Sequence, residues 1–194
     1  MNLSNMLALL ASGIVVLVYL AYFKQMVKEQ STPNPATWII WLSVSILNAI
    51  TYVPVADTWY QGLVSVVMSV SITILFIYAY KKQKFTSIKF LEKAVLLLTV
   101  IIGLIGLFIQ NEEITNLLIQ GVLVFSFWPT IDGLRNKGAT EKPLPWLLAV
   151  GAYCLLIASI LVDFNGNYTS LAFPLVNGIL GNGIVAILAI TKKN

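Results

Sequence analysis

Seven long stretches without a charged residue constrain the fold of this chain more than any other feature. The charge-free stretches are residues 1–23, 30–56, 58–80, 94–111, 114–131, 143–162 and 164–191. A helix needs about 20 mostly apolar residues to cross the hydrocarbon core of a bilayer, so each stretch is long enough to cross once. Only 10% of the residues are charged, whereas soluble domains carry roughly 25%. The pattern predicts an all-α membrane protein with seven transmembrane helices.

The charged residues between these stretches lie on alternating sides of the predicted bundle. All 12 basic residues fall on one side, in the segments Lys24–Lys28, Lys81–Lys93, Arg135–Lys142 and Lys192–Lys193. The charged residues on the other side are all acidic: Asp57, Glu112, Glu113 and Asp163. Short loops rich in Lys and Arg stay in the cytoplasm, so we expect the N-terminus outside and the C-terminus inside, in a bacterial inner membrane. The net charge of +4 therefore indicates membrane topology, with lipid rather than nucleic acid as the partner.

A short motif occurs twice, each time at the start of a span. Residues 32–38 and residues 140–146 both fit T-x-x-P-x-x-W, at a separation of 108 residues. Asn34 is expected to cap the first of these helices, and Pro35 and Pro143 are expected in first-turn positions, where no hydrogen bond is lost. The alternative, that any membrane helix with an interfacial Trp begins in this way, stays open.

The two copies of the motif align spans 1–3 with spans 5–7 and leave span 4 over. Three spans reverse the direction of the chain, so one extra crossing restores the orientation of the second copy. The alignment predicts two parallel three-helix repeats, residues 1–82 and 112–194, joined by a linker helix within residues 83–111.

Two further motifs, together with this 3-1-3 plan, resemble the SWEET and PQ-loop (MtN3-like) transporter superfamily in its seven-helix form. Trp128-Pro129-Thr130, followed by the segment from Arg135 to Trp146, is similar to the proline-bearing end of the first repeat helix and its loop. Residues 173–178, Phe-Pro-Leu-Val-Asn-Gly, resemble the last-helix motif in which a proline precedes a substrate-facing asparagine. The resemblance implies a transporter in which Asn177 binds substrate, with a sugar as the first expectation.

Residues that support catalysis or metal binding are scarce. The chain has no histidine, and nothing in it matches a nucleophile elbow, paired catalytic carboxylates, a phosphate loop or a metal-ligand cluster. We therefore expect no enzyme activity, no metal and no cofactor. Cys154 lies in an apolar stretch and is expected to be buried. No charged residue lies in the middle of a span, which favours a facilitator for a neutral solute over an ion-coupled transporter.

Uncharged polar and aromatic residues within the spans are the candidates for a binding site. An amide at membrane depth must find partners within the protein or line a wet cavity. Hydrogen bonding between helices explains each amide equally well, and the interfacial belt explains each Trp, so these alternatives stay open. The residues expected to bind substrate are Asn177, Trp38, Trp146, Asn48, Trp128 and Asn182. Gly178, Gly181 and Gly183, with Pro174 upstream, predict a last span that bends easily.

The function expected from these features is facilitative transport of a small neutral polar solute by alternating access between the two repeats. The alternative is a membrane receptor or scaffold on the same fold, with the basic cytoplasmic loops as its contact surface. The lysines from Lys81 to Lys93 would also suit anionic lipid headgroups. A small-molecule substrate and membrane lipid are the expected partners, and a homo-oligomer stays open.

Overall fold

The computed structural model describes residues 2–31, 35–82, 90–136 and 139–192, and every regular element within these ranges is helical. The elements are α1 (Leu3–Val27), α2 (Pro35–Val55), α3 (Trp59–Lys82), α4 (Phe90–Ile109), α5 (Glu112–Ser126), α6 (Trp128–Asn136), α7 (Pro143–Val162), α8 (Thr169–Phe173), a π-helical segment (Pro174–Asn182) and α9 (Gly183–Thr191). We call α1–α3 the first helix group and the elements from α5 to α9 the second helix group.

Six helices in the described ranges are long and apolar enough to cross a membrane. They are α1, α2, α3, α5 continued by α6, α7, and the last span from α8 through α9. The prediction of an all-α membrane protein is confirmed to this extent. In α4, the apolar part within the described residues is the shorter segment Lys93–Gly106.

The helices begin where the sequence provides a suitable first turn. The Asn2 side chain accepts a hydrogen bond from the Asn5 amide at 3.0 Å, and the Asn111 side chain accepts one from the Ile114 amide at 2.9 Å. These side chains satisfy amide groups that a helix N-terminus leaves without a partner. Pro35 and Pro143 open α2 and α7, as predicted. The predicted cap at Asn34 lies outside the described residues.

Two helix pairs connect the first group to the second. The most extensive contact is between α1 and α7, and the second pair is α2 with α5. Within the groups, α3 lies against both α1 and α2, while the π-helical segment lies against both α7 and α5. Ala8, Ala11 and Ala152 are fully buried, and such small side chains allow neighbouring helix backbones to approach closely. The fourth helix, α4, packs outside this arrangement against α5 and α2.

Polar side chains fasten both of these helix pairs. Between α1 and α7, Ser4 and Ser159 each donate a hydroxyl hydrogen bond to the other's carbonyl oxygen, at 2.9 and 2.8 Å. Between α2 and α5, the Asn116 side chain donates to Thr51 Oγ1 at 3.0 Å and to Asn48 Oδ1 at 3.3 Å. An unpaired polar group is costly in hydrocarbon, so each set of contacts favours one register between its two helices.

The two ends of the bundle carry different charges, with Lys24 and Lys142 at one end and Asp57 and Asp163 at the other. At the end where α1 finishes and α7 begins, which we call the basic end, the Tyr22 hydroxyl donates to Glu141 Oε1 at 2.9 Å. At the opposite end, which we call the acidic end, the Asn2 side chain donates to Asp163 Oδ2 at 2.9 Å. Both contacts join α1 to residues flanking α7, so each end of the α1–α7 pair is closed by polar contacts.

Two spans depart from α-helical geometry near a proline, because proline has no amide hydrogen and crowds the carbonyl four residues earlier. The first interruption separates α5 from α6 at Phe127, just before Pro129. The second is the π-helical segment, which begins at Pro174. The carbonyl of Ser170, four residues before Pro174, accepts a hydrogen bond from the Tyr52 hydroxyl at 2.9 Å. The last span, for which the sequence predicts easy bending, contains a π-helical segment, and α2 contacts its start through this hydrogen bond.

The expectation that Cys154 is buried is wrong, because its side chain is exposed on the outer surface of α7. The buried face of α7 carries Trp146, Ala149, Tyr153 and Leu156. Cys154 follows Tyr153 directly and therefore lies about 100° around the helix from it. The apolar stretch alone could not distinguish the two faces, since both are hydrophobic.

Candidate functional site

A cavity of about 50 Å³ lies between the two helix groups, lined by α1, α2, α3, α5, Phe127, α7 and the π-helical segment. A buried water needs roughly 10–15 Å³ of such space, so this volume suits a few water molecules. Pockets that hold a small-molecule ligand usually measure about 300–1,000 Å³. A solute the size of a sugar would therefore enter only if the surrounding helices moved apart.

Five aromatic rings, which we call the aromatic cluster, border the cavity toward the basic end: Tyr22, Trp38, Trp41, Phe127 and Trp146. Tyr22 contacts Trp38 and Trp146 with ring centroids 5.4 and 5.9 Å apart, both edge to face. Trp41 contacts Trp146 at 5.8 Å and Phe127 at 5.5 Å. The rings come from both helix groups, so a relative movement of the groups at the basic end would separate them.

A buried polar group lies across the cavity from these rings. The Asn177 side chain donates to the Tyr153 hydroxyl at 2.5 Å and lies 3.5 Å from the Met68 sulfur. The Asn182 side chain donates to the Asn177 carbonyl oxygen at 2.5 Å and supports the π-helical segment from inside. In α3, where the sequence has no asparagine to pair with Asn177, Met68 supplies a weak sulfur acceptor instead.

Two indole N–H groups in the aromatic cluster are buried without a partner in strict hydrogen-bond geometry among the described residues, those of Trp41 and Trp146. A buried donor left unpaired costs about 1–3 kcal/mol, so such groups are normally satisfied by water or by a ligand. Both residues line the cavity. The Trp146 N–H interacts with the Glu141 carboxyl group and helps to lower its pKa, so Trp41 carries the indole N–H that has no described partner, beside aromatic faces on which the apolar surface of a molecule can lie.

Close backbone approach holds the last span against the cavity. A Cβ added at Gly178 would overlap Cβ and Cγ of Tyr153, and a Cβ added at Gly181 would overlap the ring of Phe127. Both contacts require the absence of a side chain. At Gly183, two residues after Gly181, an added Cβ would meet nothing within 4 Å.

Four of the six predicted binding residues line the cavity: Trp38, Trp146, Asn177 and Asn182. Asn48 is fully buried elsewhere, in the contact between α2 and α5, where it accepts hydrogen bonds from Asn116 and from Gln120. Trp128 is 49% exposed and is not part of the lining. The structure thus brings four of these residues together and gives the other two different surroundings.

Sequence reasoning missed two prominent residues of the site. Tyr153 lies seven residues after Trp146, a spacing that returns to the same helical face, so the signal was present in the sequence. Glu141 lies in the loop before α7 and is only 7% exposed. Burial raises the pKa of Glu141 to about 7, an effect partly offset by polar contacts with Tyr22, Ser31 and Trp146.

Comparison with known proteins adds nothing to these observations. No family model, no curated protein and no solved structure matches the chain. The function therefore has to be inferred from the cavity and from the helices that form it.

Proposed function

We propose that this protein is a facilitative transporter of a small neutral polar solute, of the SWEET and PQ-loop type, with a sugar as the first candidate substrate. The observation that carries the proposal is the cavity between the two helix groups. Its aromatic rings, the unpaired indole N–H of Trp41 and the amide of Asn177 suit a molecule with hydroxyl groups and an apolar face. Transport proceeds by alternate opening of the cavity at its two ends.

The 3-1-3 arrangement belongs to this proposal, and the cavity lining supports it. Several lining residues form pairs separated by the same 108 positions as the two sequence motifs. The pairs are Val15 and Leu123, Tyr19 and Phe127, Trp38 and Trp146, Trp41 and Ala149, and Ser45 and Tyr153. A repeat related to its partner by a twofold axis through the cavity would contribute residues in this way.

The helix contacts support the same symmetry. Exchanging the two repeats converts the α1–α7 contact into the α5–α2 contact, and both are prominent. The polar contacts that fasten these pairs correspond on the side of α7 and α2, because Ser159 and Thr51 are again 108 residues apart. Under this arrangement α4 is the linker helix, which agrees with its position outside the two connecting pairs.

The orientation is likewise part of the proposal. The basic residues that the structure describes lie in or beside the helix turns at the basic end, so the basic end faces the cytoplasm and the acidic end faces outward. The aromatic cluster then forms the cytoplasmic side of the cavity. The contact between Ser4 and Ser159 forms part of the outer side.

Uptake of labelled solutes into proteoliposomes tests the proposal. The panel should contain sugars, neutral amino acids and vitamins, with empty liposomes as background. Asn177→Ala removes an amide from the cavity. We expect uptake of the transported solute to fall by roughly tenfold, because the loss of one hydrogen bond weakens binding by about that factor. Trp146→Ala should also reduce uptake.

Matched controls separate the cavity from general effects of substitution. Asn136→Ala changes an exposed asparagine at the basic end, and Trp59→Ala changes a tryptophan that is 60% exposed. Both should transport like the parent protein. Absence of uptake for every solute in the panel would refute the transport proposal and leave a receptor or scaffold as the alternative.

A further inference from the structure

Glu141 is a buried carboxyl group at the point where the two helix groups meet at the basic end. It belongs to the loop between α6 and α7, yet only 7% of it is exposed. Its Oε1 accepts the Tyr22 hydroxyl of α1 at 2.9 Å. This hydrogen bond joins the first helix group to the second.

The same bond connects Glu141 to the aromatic cluster. Tyr22 lines the cavity and contacts the rings of Trp38 and Trp146, so Glu141 lies behind the cluster on its basic side. Separation of the groups at this end would have to break the contact between Tyr22 and Glu141. It would also bring the carboxyl group into contact with water.

The surroundings of Glu141 favour its neutral form in the closed arrangement. Burial is the largest influence and raises the pKa of Glu141; Ser31 and Trp146, like Tyr22, lower it in part, but none of the three carries a charge that would match a carboxylate. The second oxygen of Glu141, Oε2, is buried and has no partner in hydrogen-bond geometry among the described residues. Removing an ionised carboxylate from water without full compensation is costly, and binding a proton avoids that cost.

The titratable and charged groups around Glu141 do not compensate the negative charge that this side chain carries when it is ionised. Tyr22 on α1 donates its hydroxyl hydrogen, and Lys142 follows Glu141 directly in the loop. Lys192, from the end of α9, donates its ammonium group to the Ala139 carbonyl oxygen at 2.7 Å. Lys24 and Lys28 at the end of α1 are exposed to solvent. Burial remains the largest influence, and the pKa of Glu141 rises from 4.5 to about 7.

We propose that Glu141 is a proton-binding site that takes up a proton from water when the basic end closes and releases it there when that end opens. Transport is thereby slowed by acid on the side that the basic end faces. The effect on transport rests on the proposed function, whereas the proton site itself depends only on the buried contact with Tyr22.

The direction and size of the effect follow from proton linkage. Below pH 4.5 Glu141 is protonated in both arrangements, and above about pH 7 it is ionised in both. The ratio of closed to open protein therefore changes only between these two pH values. Closure is favoured at low pH and loses this advantage as the pH rises. With these two pKa values, the ratio of closed to open protein increases about tenfold from pH 8 to pH 6.

Infrared difference spectroscopy of the reconstituted full chain tests the proton site without any solute. A carboxyl C=O band should appear as the pH is lowered through about 7, and it should be missing in Glu141→Gln. Glu29→Gln changes an exposed glutamate close to the same end and should leave the band in place. Tyr22→Phe removes a hydrogen bond that lowers the pKa of Glu141, so the band should then appear at a higher pH. A spectrum that is unchanged by Glu141→Gln would overturn the proton site.

Uptake at equal internal and external pH tests the link to transport. Initial uptake by the parent protein and by Glu29→Gln should fall several-fold, up to about tenfold, from pH 8 to pH 6. Uptake by Glu141→Gln should be the same at both values, because this side chain stays neutral. If the infrared band is present and uptake by the parent does not vary with pH, the link is wrong. If the band is present and no solute is transported, the proton site stands and the proposed function fails.

Discussion

Gly178→Ala is the substitution for which the structure gives the most definite expectation. The added Cβ would overlap the first two carbon atoms of the Tyr153 side chain, which lie too close to the α7 backbone to swing away. Tyr153 is 3% exposed, and although its ring borders the cavity, the position of its Cβ is fixed by the α7 backbone. Overpacking of this kind costs about 1–3 kcal/mol, and the better helix propensity of Ala returns up to about 1 kcal/mol. We expect a net loss of about 1–2 kcal/mol.

Two neighbouring glycines provide a graded comparison on the same span. At Gly181 the overlap is with the far edge of the Phe127 ring, which can tilt, so Gly181→Ala should cost less than Gly178→Ala. At Gly183 the space is open, and Gly183→Ala should be neutral or slightly stabilising. Unfolding of the purified variants in detergent, followed by circular dichroism, measures the order. Equal stability of the Gly178 and Gly183 variants would refute the close packing of the last span on α7.

Two further predictions concern residues within the membrane-spanning helices. Asn116→Ala removes the hydrogen bonds to Thr51 and Asn48, so the free energy of unfolding should fall by about 1–2 kcal/mol. The control Asn136→Ala should change it by less than about 0.5 kcal/mol. Equal effects of the two substitutions would contradict the α2–α5 contact. Cys154, exposed on α7, should resist a charged maleimide in liposomes and react with it once the protein is unfolded in SDS, because the surrounding surface faces lipid, where the reactive thiolate does not form. Rapid reaction with the charged reagent in intact liposomes would contradict a membrane-spanning α7.

The positions of the helices could largely be predicted from the charges. Lys24 and Lys142 mark the end of α1 and the start of α7 closely, because a charge at membrane depth is so costly that it confines the span. The interruption at Phe127 was not predicted. Pro129 alone does not determine whether a span kinks, bends or stops, since neighbouring helices decide how the freed carbonyl group is satisfied.

The candidate site could be predicted only in part. Trp38 and Trp146 were found because a repeated motif marks them, and Asn177 because a proline precedes it in the family-like motif. Asn48 and Asn177 are both amides at membrane depth, and sequence cannot tell which of them pairs with another helix and which faces a cavity. Glu141 could not be found, because its burial depends on the last turns of α1 packing over a loop that is distant in sequence.

A reversible cross-link at the acidic end tests most directly whether the two helix groups move against each other. The hydroxyl oxygens of Ser4 and Ser159 are 3.2 Å apart, so cysteines at both positions are close enough to form a disulfide between α1 and α7. The pair should be made in a Cys154→Ser background and reconstituted for uptake. The oxidised protein should transport no solute, and reduction should restore uptake to that of the background protein. Equal uptake by the oxidised and reduced forms would contradict alternating access between the two groups.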